Sequence, residues 1–323
     1  MKITRAQARG IFVLILVVGL LAGIPAANYA IPKVIKRFTP KVVATGLSQA
    51  PSAEQQYQKE LRDALKTTKI EPGIQSRLAS VTNRTEIYRD GCHSNQKNPV
   101  PSLPCDFGDK RALDEMWLVG DSHAAQWFTP LNHLAKNHNV KLVVRTMSSC
   151  PFISGIPVLD EKNSNYWQCK AHNSWLLRSI EANKPRYIVV SGYFGIEVKN
   201  IDATITGLKL LGGSGAQVFV ISDTPKPKGF APDCLSSNPG AVTNCFASRT
   251  ANQANQIRSK LENIVSQNDY TWIDPSIWLC AGQECPPIIA GRLIYADNTH
   301  ISTEAQHYLI GRIEAAIGPN LSR

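Results

Sequence analysis

"LVGDSHAAQW", Leu118–Trp127, passes from an apolar run through Gly-Asp-Ser-His into residues that favour a helix. Ser122 stands at the junction, and two roles fit that place. A serine caps a helix well, because its hydroxyl accepts a bond from an orphan backbone N–H. A serine nucleophile also gains there, since the same N–H groups can face a developing oxyanion. Deciding between them needs a base, an orienting carboxylate and a suitable fold elsewhere in the chain.

The fold follows from what flanks the motif. "EMWLV" (115–119), "VKLVVRTM" (140–147), "PRYIVVSG" (185–192), "AQVFVIS" (216–222) and "YTWID" (270–274) are continuous apolar, β-branched runs. Such runs suit strands covered on both faces. Helical patterns at 124–137, 172–183, about 200–211, 248–267 and 302–317 separate or follow them. The alternation predicts an α/β domain with a parallel, doubly wound five-stranded sheet. Ligands of such sheets bind beyond the carboxyl ends of the strands, which is where Ser122 falls. Upstream, "SAEQQYQKELRDALKTTK" (52–69) reads as a helix with Tyr57, Leu61 and Leu65 at helical spacing. "CHSNQKNPVPSLPCDFGDK" (92–110) reads as a Pro-rich loop framed by two cysteines. The expected division is therefore an N-terminal anchor at 1–41, a helical and loop extension at 42–114, and the main domain at 115–323.

The anchor is expected from "IFVLILVVGLLAGIPAANYAI", Ile11–Ile31, 21 residues without a charge, close to the length of about 20 that a spanning helix needs. A cleaved signal peptide is the rival, but Asn28 occupies the position where an A-x-A site wants a small residue before Ala30. Of the formal net charge of +10, residues 1–41 supply +7 with no acid, leaving +3 for the other 282 residues. The basic excess thus flanks the apolar run, where it would meet anionic headgroups, and nucleic-acid binding is disfavoured. Three basic side chains precede the run and four follow it, so charge does not orient it. The eight cysteines do. Cys92, Cys105, Cys150, Cys169, Cys234, Cys245, Cys280 and Cys285 fall into four couples with gaps of 13, 19, 11 and 5. Zinc competes as an explanation, but there is no C-x-x-C, and disulfides in an oxidising compartment are expected. Neighbour pairing is the simplest of the connectivities that the sequence leaves open.

A serine hydroxyl needs a base within hydrogen-bond reach, and that base is commonly a histidine held by a carboxylate. Two of the seven histidines follow an Asp by three residues, His93 after Asp90 and His300 after Asp297. His93 lies before the first long strand, next to Cys92. "YADNTHIST" (295–303) lies after the last strand and before the final helix, where a loop reaches the carboxyl edge. Asp297 and His300 are therefore the expected partners of Ser122. Each of the three taken alone reads more readily as a cap or a surface residue; their joint placement favours chemistry. Glu304 and His307, also spaced E-x-x-H, read as a solvated helix face. No metal set and no cofactor is expected.

From about Cys92 onward the chain resembles the SGNH hydrolase superfamily, whose first block is G-D-S and whose last is D-x-x-H. The stretch "CDFGDKRALDEMWLVGDSHAAQWFTPL" (105–131) and "SSCPF" (148–152) are most similar to the extracytoplasmic SGNH domain usually fused to acyltransferase family 3 membrane proteins. The resemblance implies a flavodoxin-like three-layer α/β/α sandwich, with Ser122 as nucleophile, His300 as base and Asp297 as its orienter. It implies an acylated donor, commonly acetyl, and a cell-envelope carbohydrate acceptor. Two departures stand out. The superfamily's G-x-N-D block is absent after the third strand, where "SGYFGIE" (191–197) stands, so an oxyanion hole would rest on backbone N–H groups of Ser122 and the Gly192 region. The fused relatives also carry about ten spanning helices, whereas this chain has at most one. It would then work with a separate multi-spanning membrane acyltransferase, use another donor, hydrolyse esters, or belong to a longer protein. The readings are thus an O-acyltransferase, a carbohydrate esterase, or a non-catalytic envelope-binding domain. Trp127, Tyr166, Trp167, Trp175, Tyr193 and Phe194 are candidates to face a sugar, Tyr193 and Trp167 before the others. Protein taken from its native compartment and denatured without reductant should expose no titratable thiol; eight thiols would remove the argument for an oxidising compartment.

Overall fold

The structure is a computed structural model that describes residues 52–150, 152, 166–193, 201–249 and 254–321. The expected anchor and Phe194 lie outside the described residues. Among the described residues no helix is long and apolar enough to cross a membrane.

The five expected strands form, as β3 (Glu115–Gly120), β4 (Lys141–Met147), β5 (Tyr187–Ser191), β6 (Gln217–Ile221) and β8 (Thr271–Ile273). They are mutually parallel in the order β4-β3-β5-β6-β8, the flavodoxin-like order in which the chain, after its first two long strands, crosses back to the other side of the first. That reversal lies between β3 and β5, with Gly120 opposite Ser191 at the carboxyl end. Two further short strands were not expected. β1 (His93–Ser94) runs parallel to the end of β4, and β2 (Asp106–Gly108) runs antiparallel to its start. Neither His93–Ser94 nor Asp106–Gly108 carries a continuous apolar run that the sequence could show. The Cys92–Cys105 disulfide ties them together, and together they cover the outer edge of β4, which would otherwise invite pairing with another chain. Two small antiparallel pairs complete the strands among the described residues: β7 (Ala247–Ser248) with β9 (Glu284–Cys285), and β10 (Ile288–Ile289) with β11 (Arg292–Leu293).

Strand alternation sorts the sheet's side chains into two separate cores. Met116, Leu118, Leu142, Val144, Tyr187, Val189, Phe219 and Ile221 face one side; Trp117, Val119, Val143, Ile188, Val190, Val218 and Val220 face the other. On the first side they meet Phe128, Leu131 and Leu134 of the helix Phe128–Asn137, and Ile313 and Ile317 of the helix Ile310–Ile317. On the second they meet Leu176 and Ile180, Leu208 and Leu211, and Leu261 and Val265, from the helices Trp167–Asn183, Ile201–Gly213 and Ala254–Gln267. Each fully buried aliphatic of this kind contributes about 1.5–3 kcal/mol. The result is the three-layer α/β/α sandwich. Residues upstream of 115 share its first core: the helix Ala53–Ala64, closed at its start by a capping box between Ser52 and Gln55, buries Tyr57 and Leu61 there.

All eight cysteines are paired with their sequence neighbours, Cys92–Cys105, Cys150–Cys169, Cys234–Cys245 and Cys280–Cys285. The second of these anchors the turn after β4 to the start of the helix Trp167–Asn183.

One glycine is required by the switch itself. Gly120 has φ +136°, and a Cβ there would stand 1.8 Å from the carbonyl oxygen of Ser191 and 2.9 Å from Cβ of Ala124. Gly120→Ala should therefore lower stability by about 3 kcal/mol or more, from backbone strain and overpacking together, read as a lower midpoint in urea unfolding. Gly213→Ala, where a Cβ meets nothing within 4 Å, is the matched control.

Candidate active site

The end of β3 turns sharply. Asp121 caps the four-residue helix Ser122–Ala125, its Oδ1 accepting from the N–H of His123 at 2.7 Å. Its other oxygen accepts from the N–H of Tyr193 at 2.8 Å, so one carboxylate joins the ends of β3 and β5. Asp121 is 2% exposed, and burial raises its pKa against the pull of these N–H bonds and the nearby His123. The cap of this helix is thus Asp121, and Ser122 is its first residue, with the hydroxyl available for other work.

That hydroxyl meets His300. Oγ of Ser122 lies 2.8 Å from Nε2 of His300, and Nδ1 of His300 lies 2.9 Å from Oδ2 of Asp297. The three expected residues are therefore brought together from positions about 175 residues apart in sequence. The loop carrying the pair is braced at both ends. Asp297 Oδ1 accepts from the N–H groups of Thr299 and His300, each at 2.8 Å, which closes the turn. Gln126, one turn beyond Ser122, accepts from the N–H of Ile301 at 2.9 Å, and Ser302 caps the helix Thr303–Tyr308. His300 and Asp297 are each 14% exposed at the side chain.

The electrostatics favour a neutral imidazole facing Ser122. Burial lowers the pKa of His300 and outweighs the bond to Asp297, with positive charge on His123 acting in the same direction as burial. Burial opposes the charge on Asp297, but the bonds from His300 and from the N–H of Thr299 hold it well below the usual carboxylate range. Arg84, from the segment before β1, adds a guanidinium 2.6 Å from Asp297 Oδ2.

Gly192 is buried and directly follows Ser191, the partner of Gly120, so it lies at the same edge as Ser122. The other D-x-x-H histidine, His93, has no such partners. It is buried between the hydroxyls of Thr146 and Ser148, each at 2.9 Å, and burial pushes it down to about 3. Glu304 is not simply solvated: it accepts from the N–H of Leu293 at 3.0 Å and pairs with Arg77 at 3.0 Å. Among the aromatics, Trp127 is buried against Trp278, and Tyr166 is buried with its hydroxyl on the carbonyl of Ser148. Trp167 is 59% exposed, and Tyr193 packs beside His123 with the Lys226 ammonium 3.6 Å over its ring.

Three residues at this edge escaped the sequence reading. His123 carries its own carboxylate, Nδ1 lying 2.8 Å from Asp223 Oδ1, and its ring centre is 4.5 Å from that of His300. Asp223 stands two residues past β6, and a lone acid at a strand end was the available signal. Arg84 offered none, since it reaches Asp297 across 213 positions of sequence.

Residues 91–315 match the profile of a family described as the SGNH domain fused to AT3 domains. No curated protein matches. Among solved structures, the periplasmic domain of the lipopolysaccharide acetyltransferase of Salmonella ser. Paratyphi A is similar at 15% identity, with a TM-score of 0.52 over 84% of this chain and 97% of that one. Est24, a carbohydrate acetylesterase from Sinorhizobium meliloti, aligns at 9% identity, with a TM-score of 0.39 over 62% of this chain and 99% of that one. The first of these is a likeness of fold. With the family profile spanning well over half its length, the chain belongs to the SGNH domains of the kind found fused to AT3 domains.

Proposed function

We propose that the protein is a serine-dependent O-acyltransferase, acetyl being the first acyl group to test, that acts on cell-envelope polysaccharide through an acyl-serine intermediate. The observation that carries this is the line of three groups at the switch point: Ser122 Oγ to His300 Nε2 at 2.8 Å, and His300 Nδ1 to Asp297 at 2.9 Å. As Ser122 attacks the acyl carbonyl, its proton passes to His300 and the C–O bond to the donor breaks, the leaving oxygen taking that proton back. His300 then removes a proton from a sugar hydroxyl, which attacks the acyl-serine and frees Ser122. Asp297 fixes the tautomer and offsets the charge that His300 carries between these steps. The N–H groups of Ser122 and the Gly192 region are assigned to the carbonyl oxygen as it becomes negative. Trp167 is the exposed aromatic offered to the acceptor sugar, because Lys226 already sits over the Tyr193 ring.

Membership of a family found fused to AT3 domains supports transfer over hydrolysis, with a separate multi-spanning acyltransferase as the source of the acyl group. Four disulfides and that family context support an extracytoplasmic site, held to the membrane by residues 1–41, with 42–114 as the extension and 115–323 as the catalytic unit. Hydrolysis is the second reading. His300 retains some solvent exposure, and water reaching it in place of a sugar would make the same machinery an esterase.

The full chain, incubated with p-nitrophenyl acetate, should release nitrophenolate and, with envelope oligosaccharides present, form acetylated sugar detectable by mass. Ser122→Ala should cut both by about 10³-fold or more. Turnover unchanged by that substitution removes the enzyme readings, whereas Ser122-dependent release that never yields acetylated sugar selects the esterase.

A further inference from the structure

The residue after Ser122 is a second imidazole with a second carboxylate, and the reaction above does not use it. His123 is 3% exposed at the side chain, and its Nδ1 is held 2.8 Å from Asp223 Oδ1. Its ring centre lies 4.5 Å from that of His300 and 4.8 Å from that of Tyr193. Two imidazoles this close in a buried site share one favourable protonation pattern, since two positive charges there repel strongly.

Which ring holds the proton follows from their neighbours. His123 has Asp121 on its own element, its carboxylate accepting the His123 N–H at 2.7 Å, and Asp223 from the loop after β6. From that same loop Lys226 stands 3.4 Å from the other Asp223 oxygen, over the ring of Tyr193 from the loop after β5. From the helix Ala254–Gln267, Arg258 reaches the carbonyl of Asp223 at 3.3 Å and the carboxylate of Asp274 at 3.8 Å. His123 is therefore closest to two buried carboxylates. His300 has one, Asp297, already bonded by two backbone N–H groups and by Arg84 at 2.6 Å. His93, the other imidazole near it, is buried and uncharged.

We propose that His123 is a positioning residue for the Ser122–His300 pair: an imidazolium fixed by Asp223, it keeps His300 in the neutral, proton-accepting form and lays positive charge beside Ser122. This rests on the reading of Ser122 as the nucleophile. The proton on His123 stays there throughout; the protons that move, from Ser122 to the leaving oxygen and later from the acceptor hydroxyl, pass through His300 alone. The directions of the pKa shifts agree. Burial lowers that of His123, but Asp223 and Asp121 more than offset it and the net shift is upward, while that of His300 is downward. The charge also stands where β5 is followed by Gly192 and Tyr193 in place of the superfamily's G-x-N-D block.

The test uses the full chain and p-nitrophenyl acetate, with kcat/KM followed from about pH 4 to about pH 9. The wild-type profile should be a bell, rising through a pKa below about 6.5 as His300 loses its proton and falling through one above about 6.5 as His123 loses its own. In His123→Gln the falling limb should vanish and the rising limb move up towards about 6.5, so that activity is lost several-fold more on the acid side than on the basic side. Lys226→Met changes a partly exposed side chain and leaves both histidines in place; removing that cation should move the falling limb to higher pH. Independently of turnover, imidazole NMR of wild-type protein with ¹⁵N-labelled histidine should show His123 titrating above His300. A His123→Gln profile that superposes on wild type after scaling overturns the proposal, as does His300 titrating above His123. If His123→Gln does not fold, the Lys226→Met profile and the NMR order decide. Absence of any Ser122-dependent turnover would instead count against the nucleophile reading, while the NMR order still reads the coupling.

Discussion

The carboxylate of Asp121 is the constraint on which the rest of the site depends. At the switch point β3 and β5 lie side by side, while the helices Phe128–Asn137 and Ile201–Gly213 further along the chain pack on opposite faces of the sheet. Asp121 accepts one N–H from each departing segment, from His123 and from Tyr193. A buried carboxylate is tolerable because both bonds are charge-assisted. The tie works only because Gly120 lets the backbone of β3 approach Ser191 more closely than any side chain would allow. Ser122, His123, Gly192 and Tyr193 then take their places from a single knot, and the helix that follows Ser122 starts in a fixed direction.

The second half of the site reaches this knot from far along the chain, and its fixing is of a different kind. The loop 295–301 is short, closed on itself by Asp297, by the Tyr295–Ile301 bridge and by the bond from the N–H of Ala296 to the carbonyl of His300. Gln126 then docks it on the helix start at Ile301. Asp297 therefore does two things with one group. It shapes the turn through backbone N–H groups and orients the imidazole, so a substitution there would disturb loop geometry and charge together.

How much of this could be read from the residues depended on the range of the interaction. β3, β4, β5 and β6 were legible because each holds at least three consecutive apolar residues, and β8 because Tyr270, Trp272 and Ile273 stand just before the turn at Pro275. Ser122, Asp297 and His300 were legible because topology sends strand ends and the last loop to one edge. β1 and β2 were not, since their place is set by pairing with β4 and by one disulfide rather than by any pattern of their own. His123 was hidden in plain view, beside Ser122 in the motif. Its meaning comes from Asp223 a hundred positions away, and that contact belongs to the folded sheet. Arg84 came from a segment read as an extension, whose helix Ala53–Ala64 buries Tyr57 and Leu61 in the main core.

The four disulfides join cysteines separated by 13, 19, 11 and 5 residues, with no link crossing another. For a chain threaded N-terminus first into an oxidising space, each cysteine would find its proper mate in the next one to emerge. First-come pairing is then also correct pairing, and an oxidant that merely forms bonds suffices, with no rearranging catalyst. The covalent framework is written in the order of emergence, so it can close behind the translocating chain before the loop bearing His300 has arrived.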